Sequence, residues 1–129
     1  MGATLIDGKA IAAAMQARTR AAAAALGAEG WRPRLVSVSV GDVAAAELYV
    51  RNQSRQAAAA GVEFEARNYP ATTSLEQLNG ILSGLNADPR VHGIIIQRPL
   101  PIHIPVKALQ TAIHPLKDVE GMHPASIGR

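Results

Sequence analysis

The sequence contains no cysteine. That excludes a disulfide framework and any thiolate metal site. Aromatic residues are almost as scarce: Trp31, Tyr49, Phe64 and Tyr69 are the whole set. A core is therefore expected from Leu, Ile, Val and Ala, and the stacking platforms used by single-strand nucleic-acid binders are missing. No apolar run approaches the length of a membrane span; the most apolar stretch, Gly93 to Ile96, is far too short. Met1 to Lys9 lacks the basic-then-apolar pattern of a signal peptide. The formal charge is +3, but the arginines are scattered and form no basic run. A modest positive potential suits an anionic small ligand as well as a polyanion. No Gly-x-Gly-x-x-Gly and no Walker loop is present, so the chain carries no recognisable nucleotide fingerprint. The expectation is a cytoplasmic protein whose partner is a small molecule, not nucleic acid and not a membrane.

What is present is a regular alternation. The 129 residues fit one domain, 1–129, with one core. Asp7 to Leu26 reads as an Ala-rich helix capped by Asp7 and ended by Gly27 and Gly30. Arg34 to Val40 alternates as a strand. A second Ala-rich helix spans Ala44 to Ala60, and Val62 to Asn68 is a second strand. Ser74 caps a third helix, with Leu75, Leu78, Leu82 and Leu85 on one face. Val91 to Ile96 is an apolar strand suited to burial on both faces. A short helix is expected from Pro105 to Ala112, and Ile113 to Arg129 reads as loop. This order predicts an α/β fold: an open, mostly parallel, three-layer sheet with helices on both faces. Such sheets bind ligands beyond the carboxyl ends of their strands.

Three segments near those ends carry candidate chemistry. In Gly41 to Gln53, residues Ala46, Tyr49 and Gln53 stand at i, i+3 and i+7 and share one helical face. A tyrosine there can stack on a flat ring, and an amide one turn on can hydrogen-bond it. A core-edge aromatic beside a solvated polar residue explains the same pattern. In Ile94 to Pro101, Gln97 leaves a buried strand and enters a Pro-x-Pro loop that holds few conformations before a ligand arrives. A plain strand exit has the same spacing. In Pro115 to Gly121, the carboxylates of Asp118 and Glu120 can meet a planar fork of N–H donors. An acidic surface turn is the ordinary alternative. His92, His103 and His114 recur every eleven residues, but Pro99, Pro101 and Pro105 forbid one helix through them, so no metal site is expected.

Taken in order, these segments resemble the folate-binding catalytic domain of the methylenetetrahydrofolate dehydrogenase/methenyltetrahydrofolate cyclohydrolase family. The carriers are Ile6-Asp-Gly-Lys9, Val40-Gly-Asp42, Tyr49-Val-Arg-Asn52, Leu85-Asn-Ala-Asp-Pro89 and Val91-His-Gly-Ile94. They continue through Gln97, Pro99-Leu-Pro101, His114-Pro-Leu-Lys-Asp-Val119, Gly121, His123-Pro124 and Gly128-Arg129. The resemblance implies one-carbon folate metabolism, with methylene-, methenyl- and formyl-tetrahydrofolate interconverted and NADP (or NAD) as hydride acceptor. It implies that Tyr49 stacks on the folate ring, that Gln97 supports the catalytic group, and that Pro99, Leu100 and Glu120 belong to the substrate site. It also implies a homodimer built mainly through a nucleotide-binding domain. That domain is expected to be absent from this chain, which alone would bind no dinucleotide.

The sequence departs from the family pattern at several of these places. Gln53 stands where the resemblance puts a catalytic lysine, Ala46 where it puts a serine, and Glu120 where it puts an aspartate. Arg98 replaces a usual leucine and adds a cation beside the crevice. A neutral amide cannot carry an ammonium's charge into proton transfer. Two functions are therefore expected in competition: a dehydrogenase/cyclohydrolase catalytic domain, or a weakly active or non-catalytic module holding a folate or similar heterocycle.

Overall fold

The computed structural model describes residues 2–42 and 44–128. Val43 and Arg129, each part of a segment singled out above, lie outside them.

Helix α1, Gly8–Ala28, starts where the Asp7 carboxylate accepts a hydrogen bond from the Ala10 N–H at 3.1 Å. It runs through Gly27, two residues beyond the expected stop, because the turn that ends it is made at Gly30, with φ +87°, and by Trp31 N–H donating to Leu26 C=O. Strand β1 is Arg34–Val40, as its alternation predicts. Helix α2 is Ala44–Ala59. Strand β2, Glu63–Tyr69, begins one residue late, since Val62 N–H still donates to Ala57 C=O and Glu63 N–H is the first to reach Pro33 C=O. Helix α3, Leu75–Ala87, opens on a capping box between Ser74 and Gln77, satisfying two backbone donors reciprocally.

Strand β3 is Gly93–Ile96, shorter than expected. Val91 N–H donates to Asp88 C=O in the preceding turn, and the ladder starts only with His92 N–H to Arg34 C=O. Helix α4 is Val106–Ala112. The tail, expected as loop, contains a 3-10 turn at Pro115–Lys117 and a short helix α5, Pro124–Ile127. Each begins with a proline, whose φ is already helical. Each is capped by the preceding histidine, whose Nδ1 accepts a backbone N–H: His114 from Leu116, His123 from Ala125.

The sheet has the order β2-β1-β3, with both pairs parallel. The chain steps from β1 to one side and then across to the other. Right-handed crossovers in opposite directions put α2 and α3 on opposite faces, completing three layers. The pleat then sorts β1. Val36, Val38 and Val40 face α3 and form the core with Leu78, Leu82, Leu85, Ile94, Ile96 and Leu109. Leu35, Ser37 and Ser39 face α2. Each fully buried leucine contributes about 1.5–3 kcal/mol relative to exposure. Helix α1 lies beside α2 through Gln16–Gln56 and Arg20–Ala59 hydrogen bonds and through Ala23, whose methyl group lies near Gly61. Its Ile11, Met15 and Leu26 remain exposed.

Candidate active site

The carboxyl ends of the strands meet at Val40, Tyr69 and Ile96. Gly41, at φ +88°, turns the chain out of β1 while its N–H donates to Tyr69 C=O at 2.8 Å. On the far side of the sheet, Asp118 makes a parallel bridge to Ile94, so the tail runs alongside β3. That passage explains Gly93. A Cβ there would collide with Leu35 Cδ2 and lie 2.6 Å from Val119 Cγ1. The tail thereby delivers Glu120 to the same end of the sheet as Gln97.

Gln97 is the centre of the arrangement. Its backbone N–H donates to Val38 C=O at 2.8 Å, extending the ladder one residue past β3. Its side chain is 4% exposed and points to the α2 side. There Nε2 donates to Ser37 Oγ at 2.9 Å and to Gln53 Oε1 at 2.7 Å. Strand β3, strand β1 and helix α2 are thus joined by one amide. Gln53 reaches it because Ala46, Val50, Gln53 and Ala57 recur at helical spacing on the sheet-facing side of α2.

A cavity of about 200 Å³ opens beside this network, lined by Ser39, Asp42, Ala46, Asn68, Gln97 and Pro99 among others. It is smaller than the 300–1,000 Å³ usual for a whole drug-sized ligand. It takes in Ala46, Gln97 and Pro99 from the candidate set. Tyr49, Gln53 and Glu120 do not line it. The reason is the helix geometry: Ala46 lies toward β2, while Tyr49 turns outward and is 58% exposed. Leu100 is partly buried and packs against the core. The Arg98–Pro99 peptide bond is cis, and Arg98 is exposed.

The two carboxylates have separate roles. Asp118 accepts the N–H groups of Met122 at 3.2 Å and His123 at 2.8 Å, so it closes the tail's turn. Burial alone would raise its pKa, but these bonds and one from the Ser126 hydroxyl outweigh burial and hold it below the ordinary value. Its oxygens are committed to the fold. Glu120 behaves oppositely. Desolvation pushes its pKa up, against the opposing pull of the Arg98 charge and an Ile96 backbone hydrogen bond.

The histidines are used locally. His92 Nδ1 accepts the Arg34 N–H, His103 Nε2 meets Thr73 C=O, and the other two cap their turns. Among the described residues, no three His, Asp or Glu side chains gather where a metal ion could be held.

The family description "Tetrahydrofolate dehydrogenase/cyclohydrolase, catalytic domain" matches residues 6–120. The chain belongs to this family. A relative from Mesorhizobium japonicum, named bifunctional protein FolD 2, is 56% identical over 123 residues, covering 95% of this chain and 40% of that protein. The crystal structure of the Campylobacter jejuni bifunctional enzyme FolD superposes with a TM-score of 0.94 at 31% identity, covering 97% of this chain and 44% of that one. The Trypanosoma brucei FolD structure, complexed with NADP cofactor and inhibitor, gives 0.88 at 34% identity, covering 99% and 44%. The chain thus spans about two fifths of the length of these relatives.

Sequence reasoning passed over Ser37. The available signal was a hydroxyl in the middle of a β-branched run that must be buried on both faces. Ser39 and Asn68, which line the cavity, were missed for a simpler reason. Alternation marks which face a strand residue takes, but not which α/β crevice that face borders.

Proposed function

We propose that residues 1–129 act as one domain supplying the folate face of a methylenetetrahydrofolate dehydrogenase/cyclohydrolase, in cytoplasmic one-carbon metabolism. The observation that carries this reading is the Gln53–Gln97 hydrogen bond at the carboxyl end of β3. It places together the two positions that the family resemblance makes catalytic. Tyr49, exposed one turn before Gln53, stacks on the flat ring of the ligand. Glu120 accepts N–H donors from the heterocycle, and Gln97 and Gln53 orient the one-carbon unit.

In the hydrolytic direction, water adds to the methenyl carbon, one ring C–N bond breaks, one of the water's protons ends on the released nitrogen, and the other leaves to solvent. Two amides can orient that water but cannot take its proton. Lys117, the lysine of the neighbouring tail, is tied to Leu85 C=O at 2.9 Å and Asp88 C=O at 2.7 Å. Hydrolysis by this site is therefore slow.

The dehydrogenase direction uses NADP or NAD as hydride acceptor. The described residues do not fit a dinucleotide: the turn after β1 has one glycine, and the exits of β2 and β3 run into Pro70 and Pro99. No step through the dinucleotide is assigned to these residues.

A second reading, a binding module without turnover, is favoured by one observation. Among the described residues, Gln97's side chain is hydrogen-bonded only by neutral groups. Calorimetric titration with tetrahydrofolate and 5,10-methenyltetrahydrofolate tests the folate reading. Saturable binding is expected, weakened roughly tenfold by Tyr49→Ala through loss of stacking and contact area. Absence of binding by the unaltered protein overturns it. Between the two readings, Gln53→Lys decides. A rise in cyclohydrolase rate supports the catalytic domain, and a background rate with binding retained supports the module.

A further inference from the structure

Ser37 is the one polar residue in the fully enclosed part of β1. It is 1% exposed, between Val36 and Val38 at 0%, and its register neighbours are Ala66 on β2 and Ile95 on β3. Packing alone favours an apolar, β-branched residue there. A buried hydroxyl is stable only with a partner, and among the described residues its partner is Gln97 Nε2.

We propose that Ser37 is a positioning residue that, together with Gln53, turns the Gln97 amide so that a bound ligand meets its carbonyl oxygen and not its N–H₂. The inference rests on the reading that this strand end holds the ligand. Its physical basis is a count of donors. A primary amide has two N–H bonds. Ser37 Oγ takes one of Nε2's hydrogens at 2.9 Å and Gln53 Oε1 takes the other at 2.7 Å. The nitrogen is then saturated. Oε1 accepts from none of the described residues, while Gln97 lines the cavity. What Gln97 has left to offer is an acceptor.

The opposite polarity is chemically possible, but only as a concerted change. With Oε1 in the place of Nε2, the Ser37 hydroxyl must rotate to donate and the Gln53 amide must turn to present Nε2. A hydroxyl is both donor and acceptor, so Ser37 satisfies either arrangement. Residue 53 then sets the sign. In this structure Gln53 accepts, and Gln97 shows the ligand a carbonyl. An ammonium there only donates, so Gln97 must accept from it and show the ligand its N–H₂. The exchange at position 53 therefore does more than remove a charge. It inverts the hydrogen-bonding face that Gln97 presents, and Ser37 holds that face in place.

Tetrahydrofolate and 5,10-methenyltetrahydrofolate make a suitable ligand pair. The first carries N–H groups at the nitrogens flanking the one-carbon position, and the second has none there. The unaltered protein is expected to favour tetrahydrofolate. Ser37→Ala is expected to shrink the ratio of the two Kd values about tenfold, Ser37→Thr to restore it, and Gln53→Lys to reverse the preference.

A second measurement needs no ligand. In ¹H–¹⁵N spectra of the free protein, both Gln97 side-chain protons, assigned through their loss in Gln97→Glu, are expected downfield. Their exchange is expected to be about tenfold slower than in a solvated glutamine. Ser37→Ala should move one of the two upfield and speed its exchange, and Ser37→Thr should not. Unchanged Gln97 signals and an unchanged Kd ratio in Ser37→Ala overturn the proposal. If neither ligand binds, the folate reading fails, and the spectra of the free protein still decide the role of Ser37.

Discussion

The two faces of β1 are built from alternate residues of one heptapeptide, yet they do different work. On the α3 face, Val36, Val38 and Val40 are sealed against Leu78, Leu82 and Leu109. On the α2 face, Ser37 and Ser39 look out at small residues and at the Gln53–Gln97 pair. The first face contributes stability, because apolar area is removed from water there. The second sacrifices apolar contact to hold two amides in one orientation. A stable side and a chemically committed side follow from a side-chain period of two across a single strand.

The comparison can be broken most severely from the apolar side. Leu78→Ala opens a cavity in a fully enclosed cluster and is expected to cost about 2–5 kcal/mol in a denaturant melt. Ligand affinity per folded molecule should stay the same. If affinity falls with stability, the two faces are not separable.

Gly93→Ala comes next, because it strikes the α2 face where the tail crosses it. The added methyl meets Leu35 and Val119, side chains that can shift, so the expected destabilisation is about 1–3 kcal/mol. Unlike Leu78→Ala, this change should also weaken folate binding, since it displaces the segment that delivers Glu120.

Asp118→Asn tests the tail by pH. The native pKa of Asp118 lies below its ordinary value of 3.8, so its stabilisation is present above that value and fades as pH falls through the native one. The variant is expected to lose about 1 kcal/mol near neutral pH and to show a flatter acid limb in pH-dependent melts. Smallest of all, Ser39→Ala removes a long 3.5 Å contact to Arg67 C=O and should change stability by about 0.5 kcal/mol or less. A large effect there would mean that the α2 face depends on its hydroxyls generally and not on Ser37 alone.

Much of the fold was legible because local chemistry and tertiary structure agree. Ser74 caps α3 as expected, Leu78, Leu82 and Leu85 are the buried stripe of that helix, and β1 has the expected bounds. The errors cluster where a local pattern is overruled by one hydrogen bond. Val62 is β-branched but closes α2, and Val91 is apolar but completes a turn. The tail was misread because its prolines and glycines mark turns without revealing that His114 and His123 cap helical ones.

The candidate site was legible as a set of positions, and less so as a set of roles. Sequence placed Tyr49, Gln53 and Gln97 at one end of the sheet, because each follows from a strand end or a helical spacing; Glu120 was assigned there only through the family resemblance. It also established the family, because ordered motifs are a property of the chain itself. Only the tertiary structure separated Asp118, spent on backbone donors, from Glu120, whose carboxylate is partly desolvated beside Arg98. Only it joined Ser37 to a glutamine 60 residues away. A residue type tells which hydrogen bonds a side chain can make. Which of them it does make depends on neighbours brought together by folding.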